Sequence, residues 1–426
     1  MIAPIRDASL WREGQAKAEW ASRFMPVTHS LADELAASGS VRGLRIGLVL
    51  VLEPKTANLA FELARAGADV SVMCGASNAR DDTAAALQHA GIPVFARSDA
   101  TPVQDAEFAL ALLDLKPDIL VDDGSSVTRL AHTHRAGLLE QMIGATEETT
   151  SGLRPLRVME RAGELRIPVL AANDARCKTL FDNGYGTGQS TLFTMLDLIE
   201  APLAGARVVV AGFGYVGRGV AEHASSLGAR VTIAEVDPVK ALQAVFAGYE
   251  VRPLTEAAAD ADLLISATGI AHTIDLEHLL ALPDGAAVAV SGGVDQEIAI
   301  NALVEAGAQR RSIAHAIEEF DLPNGRRILI LDDGGCINCS AGEGNPIDIM
   351  DLSFGVQISA VDHLARLGRE LEPRVHLLPA DVDDRVARAK LASLGIAIDA
   401  QSAAQQSFLD GWQMQGRRGD AAREVE

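Results

Sequence analysis

The sequence predicts an α/β protein built from two doubly wound parallel sheets with a deep cleft between them. Segments 41–75, 111–134 and 207–238 each combine a short apolar run with an amphipathic helical pattern, and further apolar runs follow at 260–269 and 285–293. Strands that alternate with helices in this way form parallel sheets covered by helices on both faces.

The composition favours a small-molecule partner. Of the 426 residues, 48% are hydrophobic and 22% charged, and the formal net charge is −21. Repulsion by this charge argues against a nucleic acid or an anionic membrane surface as a partner. The N-terminal stretch MIAPIRDASLWREG has no apolar core, and no apolar run approaches the roughly 18–20 residues of a membrane-spanning helix. We therefore expect a cytoplasmic protein.

A glycine-rich motif follows the apolar run ARVVVA. Gly212, Gly214 and Gly217 fit the pattern G-x-G-x-x-G, and a helix and a second strand ending at Glu235 complete the unit. Glycines at these positions allow a tight turn, a close approach of the backbone to a pyrophosphate, and close packing of helix on strand. Glu235 would accept hydrogen bonds from ribose hydroxyls and repel a 2′-phosphate. The motif therefore predicts a Rossmann site for NAD rather than NADP.

Lys178 and Asp182 lie four residues apart, upstream of a glycine-bearing segment at 183–190 that we predict to be a loop. On a helix such a pair shares one face and usually forms an exposed ion pair of roughly 0.2–0.5 kcal/mol. The flanking Leu180 and Phe181 fit that alternative imperfectly, because they are apolar. The pair is therefore a candidate for acid–base chemistry.

Two pairs of adjacent carboxylates lie further upstream. Asp122 and Asp123 directly follow the apolar run DILV, and Glu147 and Glu148 lie in GATEETTSG. Ligands of α/β proteins bind at the carboxyl ends of strands, where burial and mutual repulsion raise a carboxyl pKa toward useful base strength. Solvated loop acids are the alternative.

Cys336 and Cys339 have C-x-x-C spacing. A zinc site would need a second such pair or paired histidines nearby, and the closest histidine in sequence is His315. Four cysteines are also too few for a disulfide scaffold in a chain of this length. We therefore predict no metal site and assign no role to this pair.

Taken together, these segments resemble the adenosylhomocysteinase family, whose members use NAD to split S-adenosylhomocysteine into adenosine and homocysteine. The resemblance covers nearly the whole chain and is closest to the short branch of the family, so we expect this chain to lack the family's C-terminal tail. The segments that carry it are DDG (122–124), EETTSG (147–152), NDARCKTLFDNGYGTGQS (173–190), VVVAGFGYVGRG (208–219), EVDPVKALQAV (235–245), EGNPIDIMDLSFGVQ (343–357) and VHLLPADVDDRVA (375–387).

The resemblance implies a mechanism and a set of site residues. In the family, a ribose 3′-hydroxyl is oxidised to a ketone, C4′ is deprotonated, the 5′ thiolate leaves, water adds, and the ketone is reduced again. By motif, Lys178 and Asp182 would handle the 3′-hydroxyl, and Asp123 and Glu148 would complete the acid–base set. The implied NAD-binding residues are Thr149, Thr150, Ser151, Asn183, Gly212, Gly214, Tyr215, Val216, Gly217, Glu235, Thr268, Ser291, Gly292, Gly293 and Asn338.

This sequence departs from the family pattern in the implied substrate pocket. Val51, Gly293 and Asn345 stand where the resemblance places histidines, and Ser126 stands in place of an acid. Loss of general acid–base groups typically costs about 10²–10⁴-fold in rate. We therefore expect a changed substrate or a truncated reaction on an adenosyl thioether or related nucleoside. The remaining pocket residues, which fit the short branch, are Glu53 and Lys55.

Two other functions stay open at this point. One is a catalytically weak regulator that binds NAD and adenosine, and the other is a plain dehydrogenase that releases NADH.

We predict a discontinuous substrate domain from residues 1–185 and 344–395, an NAD domain from 190–340, and a short C-terminal segment from 396–426. The glycine-bearing links at 183–190 and 340–346 would be hinges. By resemblance, we also expect a homo-oligomer, namely a tetramer.

Overall fold

The computed structural model describes residues 4–294 and 296–412, whose strands form two sheets. The strands are β1 (Arg45–Val49), β2 (Asp69–Met73), β3 (Val94–Phe95), β4 (Ile119–Asp122), β5 (Gly144–Glu147), β6 (Val169–Ala171), β7 (Arg207–Ala211), β8 (Arg230–Ala234), β9 (Glu250–Val251), β10 (Leu263–Ser266), β11 (Ala286–Val290), β12 (Gln309–Ala314), β13 (Ile317–Asp321), β14 (Arg327–Leu331) and β15 (Val375–Leu377).

Helices connect the strands and cover the sheets. The α-helices are α1 (Trp11–Ser22), α2 (Pro26–Ser38), α3 (Pro54–Arg65), α4 (Asp81–His89), α5 (Pro102–Asp114), α6 (Ser126–His134), α7 (Thr150–Arg161), α8 (Arg176–Lys178), α9 (Thr187–Ile199), α10 (Tyr215–Ser226), α11 (Pro238–Phe246), α12 (Leu254–Ala257), α13 (Leu276–Ala281), α14 (Ile300–Glu305), α15 (Ile337–Ser340), α16 (Ile347–Leu367), α17 (Ala380–Ser393) and α18 (Ala403–Asp410).

The two sheets confirm the predicted α/β class. Over the described residues, the first sheet has the strand order β15-β6-β5-β4-β1-β2-β3, and its paired strands are parallel. The second has the order β12-β13-β14-β11-β10-β7-β8-β9. Here β13 runs antiparallel to both β12 and β14, a feature at the sheet edge that the sequence patterns did not predict.

Each sheet has a point at which the strand order reverses. In the first sheet β1 pairs with both β4 and β2, and in the second β7 pairs with both β10 and β8. Ligands of doubly wound sheets bind in the crevice outside the carboxyl ends of the strands at such points. Because β4 ends at Asp122 and β7 ends at Ala211, the carboxylate pair and the glycine motif both lie at these crevices.

Helix α16 follows the second sheet in sequence but packs on the first. Its buried Phe354 and Val361 belong to the hydrophobic core that also contains residues of β1 and α2. The fully buried Asp351 accepts hydrogen bonds from the backbone N–H groups of Val27 (3.1 Å) and Thr28 (2.8 Å). These N–H groups lie in the first turn of α2, where no intrahelical acceptor exists. Packing and capping together therefore hold α16 on the first sheet.

The segment 183–190 is helical, so the predicted glycine-bearing loop is wrong. A π-helix (Thr179–Gly186) runs directly into α9. A Cβ atom on Gly188 would overlap the backbone of Gly219 in α10, and one on Gly219 would overlap the carbonyl of Gly184. These glycines allow two helices to approach closely, so Gly184 and Gly188 serve helix packing rather than the predicted loop.

The predicted C-terminal segment 396–426 contains α18, and its residues 413–426 lie outside the described part of the chain. Within the described residues, no helix is long and apolar enough to cross a lipid bilayer.

Gly219→Ala should destabilise the protein because the new methyl group overlaps the Gly184 carbonyl. We expect the free energy of unfolding to fall by about 1–3 kcal/mol, although alanine is intrinsically the better helix former by up to about 1 kcal/mol. The urea midpoint measures this change. In the control Gly137→Ala nothing lies within 4 Å of the added Cβ atom, so its effect should stay below about 0.5 kcal/mol. Equal midpoints for the two variants would contradict the packing role.

Candidate functional site

A cleft of about 960 Å³ lies where residues from the carboxyl ends of both sheets meet. Residues that follow β4 and β5 line one side, and the glycine motif after β7 lines the other. The π-helix, the segment after β11 and the start of α16 contribute further lining residues. The cleft thus brings together residues that are far apart in sequence.

Lys178 is buried in this cleft, with its side chain only 4% exposed. Its Nζ lies 3.1 Å from Asp182 Oδ2 and 3.4 Å from Glu148 Oε1, and it donates a hydrogen bond of 2.8 Å to Asn183 Oδ1. The interpretation of Lys178 and Asp182 as an exposed ion pair is therefore wrong. Burial alone would lower the pKa of Lys178, but the neighbouring carboxylates outweigh burial and raise this pKa above its usual value.

Asp182 has hydrogen-bond partners on both carboxylate oxygens. Its Oδ1 accepts from Asn345 Nδ2 (2.8 Å), and its Oδ2 accepts from Ser353 Oγ (2.7 Å) in addition to the contact with Lys178. Because both oxygens are occupied by fixed donors, Asp182 is suited to position the Lys178 ammonium group.

Glu148 is the buried carboxyl group on the other side of Lys178. Gln357 Nε2 donates to its Oε2, whereas its Oε1 has no hydrogen-bond partner. Burial, only partly opposed by Lys178, raises the pKa of Glu148 to about 7. The interpretation of Glu148 as a solvated loop acid is therefore wrong, and its pKa suits a general base near neutral pH.

Asp123 is half-buried and lines the cleft. Burial raises its pKa, and the nearby Lys178 partly opposes this shift. Asp123 is therefore a second carboxyl group with raised proton affinity beside the same ammonium group.

A second layer of carboxyl groups lies behind the cleft. Asp122 and Glu147 are fully buried partners on the adjacent strands β4 and β5, and burial raises the pKa of both, that of Asp122 to about 7. Glu147 Oε1 accepts hydrogen bonds from Gly124 N (2.9 Å) and from Thr149 N (2.9 Å) and Oγ1 (2.7 Å). Glu147 thus fixes the backbone turn next to Asp123.

Ser353 and Gln357 are site residues that we did not predict. They lie four residues apart on α16, so they share one face of the helix, and they donate to Asp182 and Glu148 respectively. Two polar residues at this spacing in an otherwise apolar helical segment are the signal that could have identified them.

The glycine motif has the geometry that a dinucleotide requires. Gly212 has a positive φ of +97°, which favours glycine. A Cβ atom on Gly217 would overlap the carbonyl oxygen of Gly212, whereas the space beside Gly214 is open. The motif turns into the N-terminus of α10, where free backbone N–H groups attract anions. The residues present therefore fit a pyrophosphate.

Glu235 lies at the end of β8 and also lines the cleft. Its Oε2 accepts a hydrogen bond from Phe213 N (2.7 Å) inside the glycine motif, and its Oε1 accepts from Val236 N (2.7 Å) and Asp237 N (2.9 Å). These bonds hold a carboxylate beside the motif, where it could bind ribose hydroxyls and would repel a 2′-phosphate.

The other residues predicted to bind NAD lie around the same cleft, except Gly217, which packs beneath the turn. Those that line it are Thr149, Thr150, Ser151, Asn183, Gly212, Gly214, Tyr215, Val216, Glu235, Thr268, Ser291, Gly292, Gly293 and Asn338.

At two positions where the resemblance places histidines, neighbouring side chains already fill the surrounding space. A Cβ atom on Gly293 would overlap the side chains of Val290 and Glu297. Asn345 Nδ2 donates to Asp182 Oδ1 (2.8 Å), and Asn345 Oδ1 accepts from Ser190 Oγ (2.8 Å). The third position, Val51, lines the cleft.

The predicted pocket residues Glu53 and Lys55 form a buried ion pair of 2.7 Å. Burial raises the pKa of Glu53 despite this lysine. Lys55 also donates to the Glu343 carbonyl (2.7 Å). Glu53 lines the cleft, whereas Lys55 lies behind it.

The fold and the site define an NAD-binding α/β protein whose dinucleotide site faces a buried cluster of ionisable groups. Comparison with known families agrees with this class. The model described as "S-adenosyl-L-homocysteine hydrolase, NAD binding domain" matches residues 183–344, and that described as "S-adenosyl-L-homocysteine hydrolase" matches residues 3–137. The chain belongs to this family, which confirms the predicted resemblance and identifies NAD as the cofactor.

Curated relatives are similar over nearly their full length. An adenosylhomocysteinase from Thermotoga maritima is 42% identical over 402 residues, which cover 94% of this chain and 99% of the relative. One from Pyrococcus abyssi is also 42% identical, over 96% of this chain and 97% of the relative. An S-inosyl-L-homocysteine hydrolase from Methanopyrus kandleri is 40% identical over the same shares.

Lys178→Met should destabilise the protein by about 3–5 kcal/mol, the usual cost of leaving buried charges unpaired. Lys178 partly opposes the effect of burial on Glu148 and Asp123, so without it the pKa values of both, already raised in the folded state, would rise further. The loss should therefore be largest above neutral pH and should shrink as the pH falls and these acids are protonated. Urea midpoints measured between pH 5 and pH 8 test this.

The matched control is Lys17→Met, which removes the two ion pairs that Lys17, a 52% exposed side chain, forms with Glu13 and Asp82. Its cost should stay below about 1 kcal/mol. A pH-independent loss in Lys178→Met, or one no larger than in the control, would contradict the buried charge cluster.

Proposed function

We propose that this protein transiently oxidises the 3′-hydroxyl of a nucleoside thioether with tightly bound NAD, removes the C4′ proton and cleaves or rearranges the substrate at C5′. The proposed substrate or reaction differs from plain hydrolysis of S-adenosylhomocysteine. The observation that carries the proposal is the buried Lys178, which lies between Glu148 and Asp182 in the same cleft as the glycine motif.

The glycine motif and Glu235 would hold NAD, which when bound would provide a reversible acceptor for the hydride from C3′ of the ribose. The role of Lys178 follows from its raised pKa, because a group that stays protonated cannot be the base at neutral pH. Its N–H groups instead stabilise negative charge on the 3′-oxygen. In a buried cleft this stabilisation is stronger than in water.

Carboxylates accept the protons that the substrate loses. Two protons must be removed, one from the 3′-hydroxyl and one from C4′, which becomes acidic beside the 3′-carbonyl. Glu148 suits this task because its Oε1 accepts no hydrogen bond, although Lys178 Nζ lies 3.4 Å away, and because its pKa is about 7. Asp123 is the second candidate because it lines the cleft and has a raised pKa. Asp182 keeps Lys178 in place.

The proposed change in reaction rests on the proton donors that the cleft lacks. Among the described residues, no histidine lines the cleft. Protonation of a leaving thiolate and activation of water are the steps that an imidazole assists near neutral pH. These steps should be slow here. The residues proposed for oxidation and C4′ exchange, namely Lys178, Glu148 and Asp123, are all present. Elimination, hydration and epimerisation through the 3′-ketone are the possible outcomes.

Relatives of similar identity carry two different names, adenosylhomocysteinase and S-inosyl-L-homocysteine hydrolase. We therefore propose a purine nucleoside and leave the base open between adenine and hypoxanthine.

The test is incubation of the NAD-loaded protein with adenosine, inosine and S-adenosylhomocysteine in D₂O. We expect near-ultraviolet absorbance from the reduced nicotinamide and incorporation of deuterium at C4′. Lys178→Met, with NAD occupancy verified, should lose both signals. Flat traces for every nucleoside with NAD-loaded protein would overturn the proposal. The alternative favoured by the absent imidazoles is an NAD- and adenosine-binding regulator, whose biological effect would survive Lys178→Met.

The rate of C4′ exchange should rise with pH through about 7, because Glu148 must lose its proton to act as a base. Glu148→Gln should remove this dependence and lower the rate by about 10²–10⁴-fold. The exposed Glu107→Gln should leave rate and profile unchanged. A Glu148→Gln profile that keeps the rise through pH 7 would assign the base to another group.

A further inference from the structure

Cys336 and Cys339 lie on one turn at the start of α15, and both line the cleft. Cys339 N donates a hydrogen bond of 2.9 Å to Cys336 O. A turn closed in this way brings its end Cα atoms within about 7 Å, near the range that disulfides span. The two cysteines are not joined in a disulfide. The pair therefore has the spacing of a reducible C-x-x-C bridge.

The two thiols differ in acidity in the way that exchange chemistry requires. The hydrogen bond from Cys339 lowers the pKa of Cys336, and the same contact raises the pKa of Cys339. The thiolate is the nucleophile in disulfide exchange, so Cys336 is the attacking group. Cys74 and Cys177 are buried, and burial raises the pKa of each to about 12. We therefore expect Cys74 and Cys177 to be unreactive toward disulfides.

A short chain of contacts connects this pair with the charged cluster. Cys336 Sγ donates to Asn338 Oδ1 (3.2 Å), and Asn338 Nδ2 donates to Asn345 Oδ1 (3.3 Å). Asn345 in turn donates to Asp182 (2.8 Å). Asn338, which connects Cys336 to Asn345, is also a predicted NAD-binding residue. A change at the thiols therefore reaches both the cofactor site and Asp182.

We propose that Cys336 and Cys339 form a modification site, a cleft-lining dithiol that small-molecule disulfides convert into an intramolecular disulfide, which weakens the binding of NAD. This site does not depend on which nucleoside the protein acts on.

The exchange balances as follows. The Cys336 thiolate attacks one sulfur of the small disulfide, whose S–S bond breaks and releases one small thiol. Cys339 then loses its proton and attacks the Cys336 sulfur of the mixed disulfide, which releases the second small thiol. Two protein thiols are oxidised, and one small disulfide is reduced to two thiols that carry both protons.

The consequence follows from the hydrogen bonds that oxidation removes. The Cys336 sulfur in a disulfide has no hydrogen to donate, so Asn338 Oδ1 loses its donor. The amide of Asn338 can then reorient and release Asn345. Loss of one such hydrogen bond should weaken NAD binding about fivefold, within the usual range for a neutral pair.

The experiment treats the NAD-loaded protein with glutathione disulfide and counts free thiols by alkylation and intact mass. We expect two of the four cysteines to be lost, a peptide map that joins Cys336 to Cys339, and NAD retention about fivefold weaker. A dithiol reductant should reverse all three changes. Cys339→Ser should instead keep one glutathionyl group on Cys336, because the resolving thiol is missing. Cys74→Ser should behave like the unmodified chain apart from its missing thiol.

Four alkylatable thiols after prolonged incubation would overturn the proposal, as would a bridge between other cysteines. A Cys336–Cys339 bridge with unchanged NAD retention would overturn the link to the cofactor. Neither readout requires turnover, so failure here is distinguishable from failure of the proposed reaction.

Discussion

The site depends on one buried positive charge. An ammonium group in an apolar interior is costly, and it persists only where carboxylates and hydrogen-bond acceptors surround it. Lys178 meets Asp182 on one side and Glu148 on the other, within 3.4 Å of each. Each of these carboxylates is in turn held by α16, through Ser353 and Gln357. The charge of one lysine thus explains why elements from distant parts of the sequence must meet here.

Two kinds of carboxyl group surround this lysine, and their hydrogen bonds separate their roles. Asp182 accepts hydrogen bonds on both oxygens, whereas Glu148 keeps one oxygen free of hydrogen bonds and has a pKa of about 7. Because their environments differ, one carboxylate can position the lysine while the other transfers protons. Asn345 takes part in this division because it holds Asp182. A neutral amide at this position therefore belongs to a complete hydrogen-bond network rather than to an eroded site.

Local signals in the sequence were enough to predict the fold class and the cofactor. Strand–helix alternation and the glycine motif each act over a short stretch of chain, and the family comparison confirms NAD. Features that depend on distant contacts were missed or wrong. The glycines at 184 and 188 serve helix packing against Gly219, and the bond from Asn345 to Asp182 spans 163 residues. Sequence spacing carries no information about such contacts, so it could not show that Lys178 is buried or that Ser353 supports it.

The most direct test of this account is the protonation state of Lys178, followed by NMR of ¹³C-labelled lysine side chains with Lys178→Met as the assignment control. The account predicts that the Lys178 signal stays that of an ammonium group as the pH rises past 10.5, the ordinary lysine pKa, because Asp182 and Glu148 hold its proton. A signal that titrates near neutral pH would contradict the account, since Lys178 would then be a base rather than a fixed charge.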